Sequence, residues 1–304
     1  MNETRPTLIL DHVSKSFGDF VAVRDLSLEV RRGRIYGLIG PNGAGKTTTI
    51  RMIVNITVPD SGRVELFGQP MSTALQDRIG YLPEERGLYK KMKVGEQLRF
   101  FAELKDVKGK EADARVDKWL AKLQLTDWKQ KKTKDLSKGM QQKVQFITAV
   151  IHEPDLLILD EPFSGLDPVN VEIMKDTILE QKAANKTIIL STHQMEIAEK
   201  LCDDVCMINR SRKVLDGKLR EIRHRESRNA VALRCEGNDG LWKDPALVLN
   251  VRQVGEDFEV LLAEGVSPQT LLKRLVDAGT VVTKFELVEP SLHDIFIAKV
   301  KETS

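Results

Sequence analysis

The stretch GPNGAGKTT at residues 40–48 constrains this chain more than any other. It fits the spacing GxxxxGK[ST], with the apolar run RIYGLI (34–39) ahead of it and the helical pattern TTTIRMIV behind. A strand, a glycine-rich turn and a helix in that order form a cradle for phosphate. Gly40, Gly43 and Gly45, interleaved with Pro41, Asn42 and Ala44, let the backbone wrap closely so that consecutive N–H groups point inward. The helix that opens there adds its positive end. Lys46 is placed to reach the β- and γ-phosphates, and Thr47, with Thr48 beside it, to offer a hydroxyl to Mg²⁺.

A phosphate loop needs an acidic partner at the end of a second buried strand. DLLILDEP (155–162) supplies four apolar residues and then Asp160 and Glu161. Asp160 is expected to hold Mg²⁺ through water, and Glu161 to polarise an attacking water. A third apolar run, TIIL (187–190), leads to His193, 33 residues beyond Asp160.

At 304 residues, with 30% charged and 41% hydrophobic residues, the chain reads as an ordinary globular protein of two domains. No segment is collagen-like, low-complexity or repetitive. The start, MNETRPTLILD, lacks the basic and apolar regions of a secretory signal. No apolar run approaches the roughly 18 residues that cross a bilayer. The expectation is a cytoplasmic protein that reaches a membrane only through a partner. Cys202, Cys206 and Cys235 lack paired zinc spacing and read as small buried thiols. The five histidines are scattered, which argues against a metal held by protein ligands alone. Net charge is only +2, yet residues 86–150 carry 17 Lys and Arg against 8 Asp and Glu. That surplus is a solvated helical face, or a surface held near anionic headgroups or an acidic partner loop.

Between the phosphate loop and the acidic strand stands LSKGMQQK (136–143), the polar start of an apolar-periodic helix, VQFITAVI. In chain order the motifs GPNGAGKTT, LSKGMQQK, LLILDEPFSGLDP and LSTHQ resemble those of the ATP-binding subunit of an ABC transporter, from about residue 7 to 224. The similarity is greatest to the export-type branch associated with sodium and drug efflux, whose ATPases pair with separate membrane subunits. The resemblance implies several roles. Phe17 would stack on adenine, and His193 would sit at the γ-phosphate. Ser137 and Gly139 would bind the γ-phosphate of ATP held by a second subunit, a task suited to an exposed helix N-terminus. Ser164 to Asp167 (SGLD) would bridge the two subunits. ATP and Mg²⁺ are the implied cofactors, a transmembrane permease subunit and a second ATPase chain (a homodimer) the implied partners. The implied location is the inner face of the cell membrane.

Two positions depart from the family pattern. LSGGQ becomes LSKGM, with Lys138 and Met140 substituted but Ser137 and Gly139 retained. In GYLPEERGLY (80–89), Glu84 stands where the family has a glutamine that binds Mg²⁺ and the attacking water and couples to the membrane subunit. Glutamate keeps the shape but adds charge, and the coupling role is expected to persist. Two other functions compete: a soluble ABC ATPase acting on nucleic acid or the ribosome, and a regulatory nucleotide binder that does not hydrolyse. One phosphate loop, only 91 residues from Lys46 to Ser137, and no aromatics interleaved with the basic stretch speak against nucleic acid. Glu161 and His193 speak against the non-hydrolysing reading.

The expected fold is α/β: a P-loop ABC ATPase core at 1–222 with a helical insert at about 86–150, then a small α+β domain at 223–304. In the latter, AVALRC, LVLNVRQV and FEVLLAEG read as strands, the last two joined by a hairpin across Gly255–Asp257. SPQTLLKRLVDAG reads as a helix capped by Ser267, VVTKFELV as a strand and PSLHDIFIAKV as a closing helix. EPSLHDIFI resembles the tail of the export-type ATPases. His293 and Asp294 are adjacent and so point to different sides of that helix. A regulatory or dimer-stabilising role is expected there, and no second active site.

Overall fold

Residues Ile35–Ile39 are buried along their whole length, as the central strand of a sheet covered on both faces must be. In the computed structural model, which describes residues 5–85, 87–226, 229–236 and 244–302, the chain divides into two units between Leu219 and Arg220.

The first unit opens with β1 (Leu8–Phe17), β2 (Phe20–Val30), β3 (Ile35–Ile39) and α1 (Lys46–Ile53). Strands β4 (Ser61–Leu66), β5 (Gln69–Pro70) and β6 (Ile79–Leu82) follow, then α2 (Val94–Glu103), α3 (Gly109–Lys122) and α4 (Lys138–Val150). It closes through β7 (Leu156–Asp160), α5 (Pro168–Ala183), β8 (Thr187–Thr192), α6 (Met195–Leu201), β9 (Asp204–Asn209) and β10 (Arg212–Lys218). One sheet is antiparallel, in the order β2-β1-β4-β5; the other runs β10-β9-β3-β8-β7-β6. In that second sheet β6, β7, β8, β3 and β9 are parallel, and β10 is an antiparallel edge. Leu8, Leu10 and Leu26 of the first sheet share one buried cluster with Leu38 and Ile158 of the second and with Ile50 and Ile53 of α1. Each such side chain contributes roughly 1.5–3 kcal/mol through burial.

Register decides where the site stands. Ile39 pairs with Thr192, Asp160 with Ser191 and Leu82 with Leu159. The residues that follow those strands, Gly40, Glu161, His193 and the loop carrying Glu84, therefore emerge side by side at the carboxyl rim of one sheet.

The expected helical insert is α2, α3 and α4. Arg86, where it was expected to begin, lies outside the described residues, and its first helix starts at Val94. Helix α4 begins where a serine can cap it: the Ser137 hydroxyl accepts a hydrogen bond from Met140 N at 3.2 Å. Its apolar face is buried, with Phe146 edge-on to Trp119 at 6.2 Å. It also lies hard against β6. A Cβ built on Gly80 would stand 2.0 Å from the Ala149 carbonyl oxygen and 2.8 Å from Pro154 Cγ. Gly80→Ala is therefore expected to destabilise the first unit by about 3 kcal/mol, since strand and helix must separate. A lower urea midpoint would register it; an unchanged one would mean that the approach is not that close.

The second unit contains α7 (Leu219–Arg225), whose first residue precedes the division, β11 (Ala230–Glu236), β12 (Val248–Val254), β13 (Asp257–Leu262), α8 (Pro268–Asp277), β14 (Val281–Leu287) and α9 (Leu292–Glu302). Its sheet is antiparallel, in the order β12-β13-β11-β14. Gly255, in the left-handed region at φ 62°, makes the β12–β13 turn. Ser267 caps α8 by accepting from Thr270 N at 3.2 Å, and Leu271 and Leu275 carry that helix onto Val231, Leu233 and Val260. Asp294 lies in the first turn of α9 and accepts from the Ser291 hydroxyl at 2.6 Å, which is a capping arrangement. Cys202 and Cys206 are buried, Cys235 is partly so, and none of the three is in a disulfide among the described residues.

Candidate functional site

The phosphate loop bridges β3 and α1. Gly43 and Gly45 take left-handed backbone at φ 76° and 111°, and a Cβ on Gly45 would lie 2.4 Å from the Ala22 carbonyl oxygen. Only glycine meets both demands at Gly45. Ala44 is buried beneath the loop and tied at both backbone groups, to Pro41 O (3.2 Å) and to Ser211 N (3.1 Å). Ser211 in turn accepts from Arg24 N and donates its hydroxyl to Val21 O at 2.6 Å.

Around this loop lies a cavity of about 300 Å³. Asn42, Gly43, Gly45, Lys46, Thr47 and Thr48 form one side, and Glu84, Asp160 and Glu161 face them. Lys46 is only 6% exposed and donates through Nζ to Gly40 O (2.7 Å) and Pro41 O (3.1 Å). Its Nζ stands 3.9 Å from Glu161 Oε1. Burial pushes the Lys46 pKa down, against the pull of Glu161, Asp160 and Glu84.

Asp160 is fully buried, and neither carboxylate oxygen has a hydrogen-bond partner among the described residues. Burial pushes its pKa up, opposed by the Ser191 and Thr47 hydroxyls that face it, while Glu84 and Glu161 push the same way as burial. A buried carboxylate with empty oxygens beside a threonine hydroxyl is the donor set of a hard cation.

Glu161 leaves β7 in the left-handed region, at φ 50°, which for a residue with a side chain is strained. That turn sends its carboxylate to the end of β8. Oε1 accepts from His193 N at 3.0 Å and lies 2.8 Å from His193 Nδ1, and Oε2 is 3.3 Å from Thr192 Oγ1. The carboxylate is thus oriented from one side and open to the cavity on the other.

Of the residues singled out in the sequence, the remainder stand elsewhere. Ser137, Gly139 and Asp167 do not line the cavity. A Cβ on Gly139 would lie 3.4 Å from Leu166 Cδ2, so the start of α4 rests on the SGLD loop. Asp167 caps α5, accepting from Asn170 N at 3.0 Å. Phe17 is 52% exposed at the tip of the β1–β2 hairpin and does not line the cavity; its cross-strand partner Phe20 does. The second aromatic in FGDF is the signal that sequence reading passed over.

The family described as "ABC transporter" matches residues 23–164, and that described as "ATP-binding protein DrrA1-3-like, C-terminal domain" matches 217–300. The "Uncharacterized ABC transporter ATP-binding protein YhaQ" of Bacillus subtilis is 43% identical over 293 residues, 96% of this chain and 98% of that one. A "Nod factor export ATP-binding protein I" of Cupriavidus metallidurans is 39% identical over 71% of this chain and 72% of its own. A solved structure described as "ATP binding subunit of ABC transporter" superposes with a TM-score of 0.68 at 32% identity, over 72% of this chain and 92% of that one. A phosphate loop facing two carboxylates at the rim of a mainly parallel sheet, and likeness across nearly the whole length of a relative, lead to one conclusion: the chain belongs to the ATP-binding subunits of ABC transporters.

Proposed function

We propose that this subunit binds and hydrolyses ATP to power a membrane exporter, closing with a second ATPase chain head-to-tail across two ATP molecules. The observation that carries the hydrolytic reading is the cavity in which Asp160 and Glu161 face Lys46 and the rest of the phosphate loop. Lys46 and the loop amides bind the β- and γ-phosphates. Glu161, held by His193, takes the proton of the attacking water, and His193 adds a contact to the γ-phosphate. Thr47, Asp160 and Glu84 hold Mg²⁺, a role supported by the empty oxygens of Asp160. The ion, when bound, neutralises charge on the phosphate oxygens. Phe17 stacks on adenine, with Phe20 beside it.

Ser137, Gly139 and Asp167 lie together, away from this chain's own cavity, as residues that meet a partner's ATP should. Lys138 adds positive charge near that anion, so closure tolerates the departure from LSGGQ. The export direction is supported by the relative whose name states Nod factor export. Coupling to a permease subunit is supported by an apolar surface beyond the Glu84 loop. Tyr89 and Phe100 meet edge-on at 6.0 Å, Phe101 stacks on Tyr89 at 6.2 Å, and Leu104 is 60% exposed. No helix among the described residues is long and apolar enough to cross a membrane, and in this reading the chain works on the cytoplasmic face through that partner. The C-terminal unit regulates or steadies the dimer.

The test is to look beside this chain's gene for one encoding a multi-span membrane protein and to co-express the two. The two are expected to co-purify in detergent, and the membrane protein to raise ATP turnover. Recovery with nucleic acid, and no membrane protein, would favour the soluble-ATPase reading instead.

A further inference from the structure

Helix α4 carries two glutamines one turn apart, Gln142 and Gln145, at 2% and 3% exposure. Residues three apart lie on one helix face, and both amides reach backbone carbonyls next to the carboxylates of the cavity. Gln142 Nε2 donates to Pro162 O at 3.2 Å, immediately after Glu161. Gln145 Nε2 donates to Pro83 O at 3.1 Å and to Glu85 O at 3.0 Å, one on each side of Glu84. Gln145 Oε1 is buried and has no partner among the described residues. The side chain therefore places a donor pair on that loop and keeps its acceptor without a partner among the described residues. On another side of the helix Lys143 donates to Leu123 O at 3.0 Å, which ties α4 to the residue just after α3.

We infer that Gln145 is a positioning residue for Glu84: its amide brackets that residue from both sides and makes the place of the Glu84 carboxylate follow α4. A free loop would let Glu84 swing from the cavity, because it shares the space with Asp160 and Glu161 and like charges repel. Two hydrogen bonds to its flanking carbonyls oppose that. An amide suits the task and a carboxylate does not, since only the amide has two N–H donors. Gln142 holds the loop after Glu161 in the same way, so a shift of α4 carries both carboxylate loops together. The helix is capped at its other end by Ser137, so a contact made at that end reaches the chain's own cavity through these two amides.

This inference rests on the reading that the cavity holds ATP and Mg²⁺, and its test separates the two. Gln145→Met keeps the length and removes the donors; Gln145→Asn keeps the amide and shortens the reach. Each is expected to lower ATP turnover about tenfold, the effect usual for a partner standing one residue behind a metal site. Each should also raise, by a similar factor, the Mg²⁺ concentration that half-saturates binding of a fluorescent ATP analogue, measured in the non-hydrolysing Glu161→Gln background. In a Glu84→Ala background neither should add a further loss, because the residue being positioned is gone. An unchanged Mg²⁺ requirement, or losses that add in full to those of Glu84→Ala, would overturn the inference. So would collapse of the cooperative thermal transition in both variants, which would assign Gln145 to the fold alone. If the unmodified chain does not turn over ATP, the hydrolytic reading fails, and the Mg²⁺ titration still decides the part played by Gln145.

Discussion

Replacing Glu161 with glutamine is expected to lower ATP turnover by about 10²–10⁴-fold, the range for a lost general base, while ATP still binds. Glutamine has the volume of glutamate and an oxygen that can still accept from His193 N, now at 3.0 Å from Glu161 Oε1. Its nitrogen can donate to Thr192 Oγ1, so the end of β8 keeps its partners. What is lost is the capacity to take a proton from water. The phosphate loop, Lys46 and Asp160 are untouched, and nucleotide affinity should change little. Because hydrolysis is what loosens the proposed dimer, the Glu161→Gln chain should run as a dimer in gel filtration with ATP and Mg²⁺ and as a monomer without them. Undiminished turnover would remove Glu161 from the role of base. A monomer under saturating ATP would count against closure across LSKGM, with Lys138 and Met140 the first residues to examine.

Lys46→Ala is expected to weaken ATP binding by roughly 10- to 150-fold, corresponding to about 1.5–3 kcal/mol for hydrogen bonds to a charged group. Lys46 lies buried between the Gly40 and Pro41 carbonyls and the Glu161 carboxylate, and its burial already pushes the ammonium toward losing its proton. That cost is set against a phosphate chain, an anion that can take all three of its donors. Without ATP the variant should melt near the unmodified chain, since removing a buried charge offsets the two lost hydrogen bonds. With ATP and Mg²⁺ the unmodified chain should gain in melting temperature as ligand accumulates, and the variant should gain little. Titrating nucleotide in a thermal-shift assay reads this directly. Equal gains in the two chains would mean that ATP does not meet Lys46.

The parts of this molecule that local sequence made legible are those whose causes are local. A glycine loop between an apolar run and a helical pattern, an apolar run ending in Asp160 and Glu161, a serine before VQFITAVI, and Ser267 with Pro268 ahead of α8 each carry their reasons within a few residues. The order of strands and helices in the C-terminal unit was readable for the same cause. What stayed hidden is lateral. The pairing of β1 with β4 to form a separate antiparallel sheet, and the reversal of β10 at the edge of the other, depend on partners far along the chain. Phe17 matches a family position, whereas Phe20, its cross-strand partner, is the aromatic that borders the cavity, a placement that depends on the turn between them. Gln145 lies in an apolar-periodic stretch, where its only local sign is that a polar residue occupies a buried phase. Its partners, Pro83 and Glu85, are about 60 residues away.

Strand β3, from which the phosphate loop springs, is hydrogen-bonded on one side to β8 and on the other to β9, and the loop itself is fastened by Ser211. All of these partners are made at least 150 residues later in synthesis. A ribosome that has released GPNGAGKTT has therefore released a loop that can make its local bond from Ala44 N to Pro41 O but lacks the flanking strands and the Ser211 anchor, which come only with the turn before β10. The order of synthesis thus keeps the nucleotide site unformed until almost the whole first unit is present. Any shortened version that stops before Ser211 should be expected to lose the ATP site along with the last strands of the sheet.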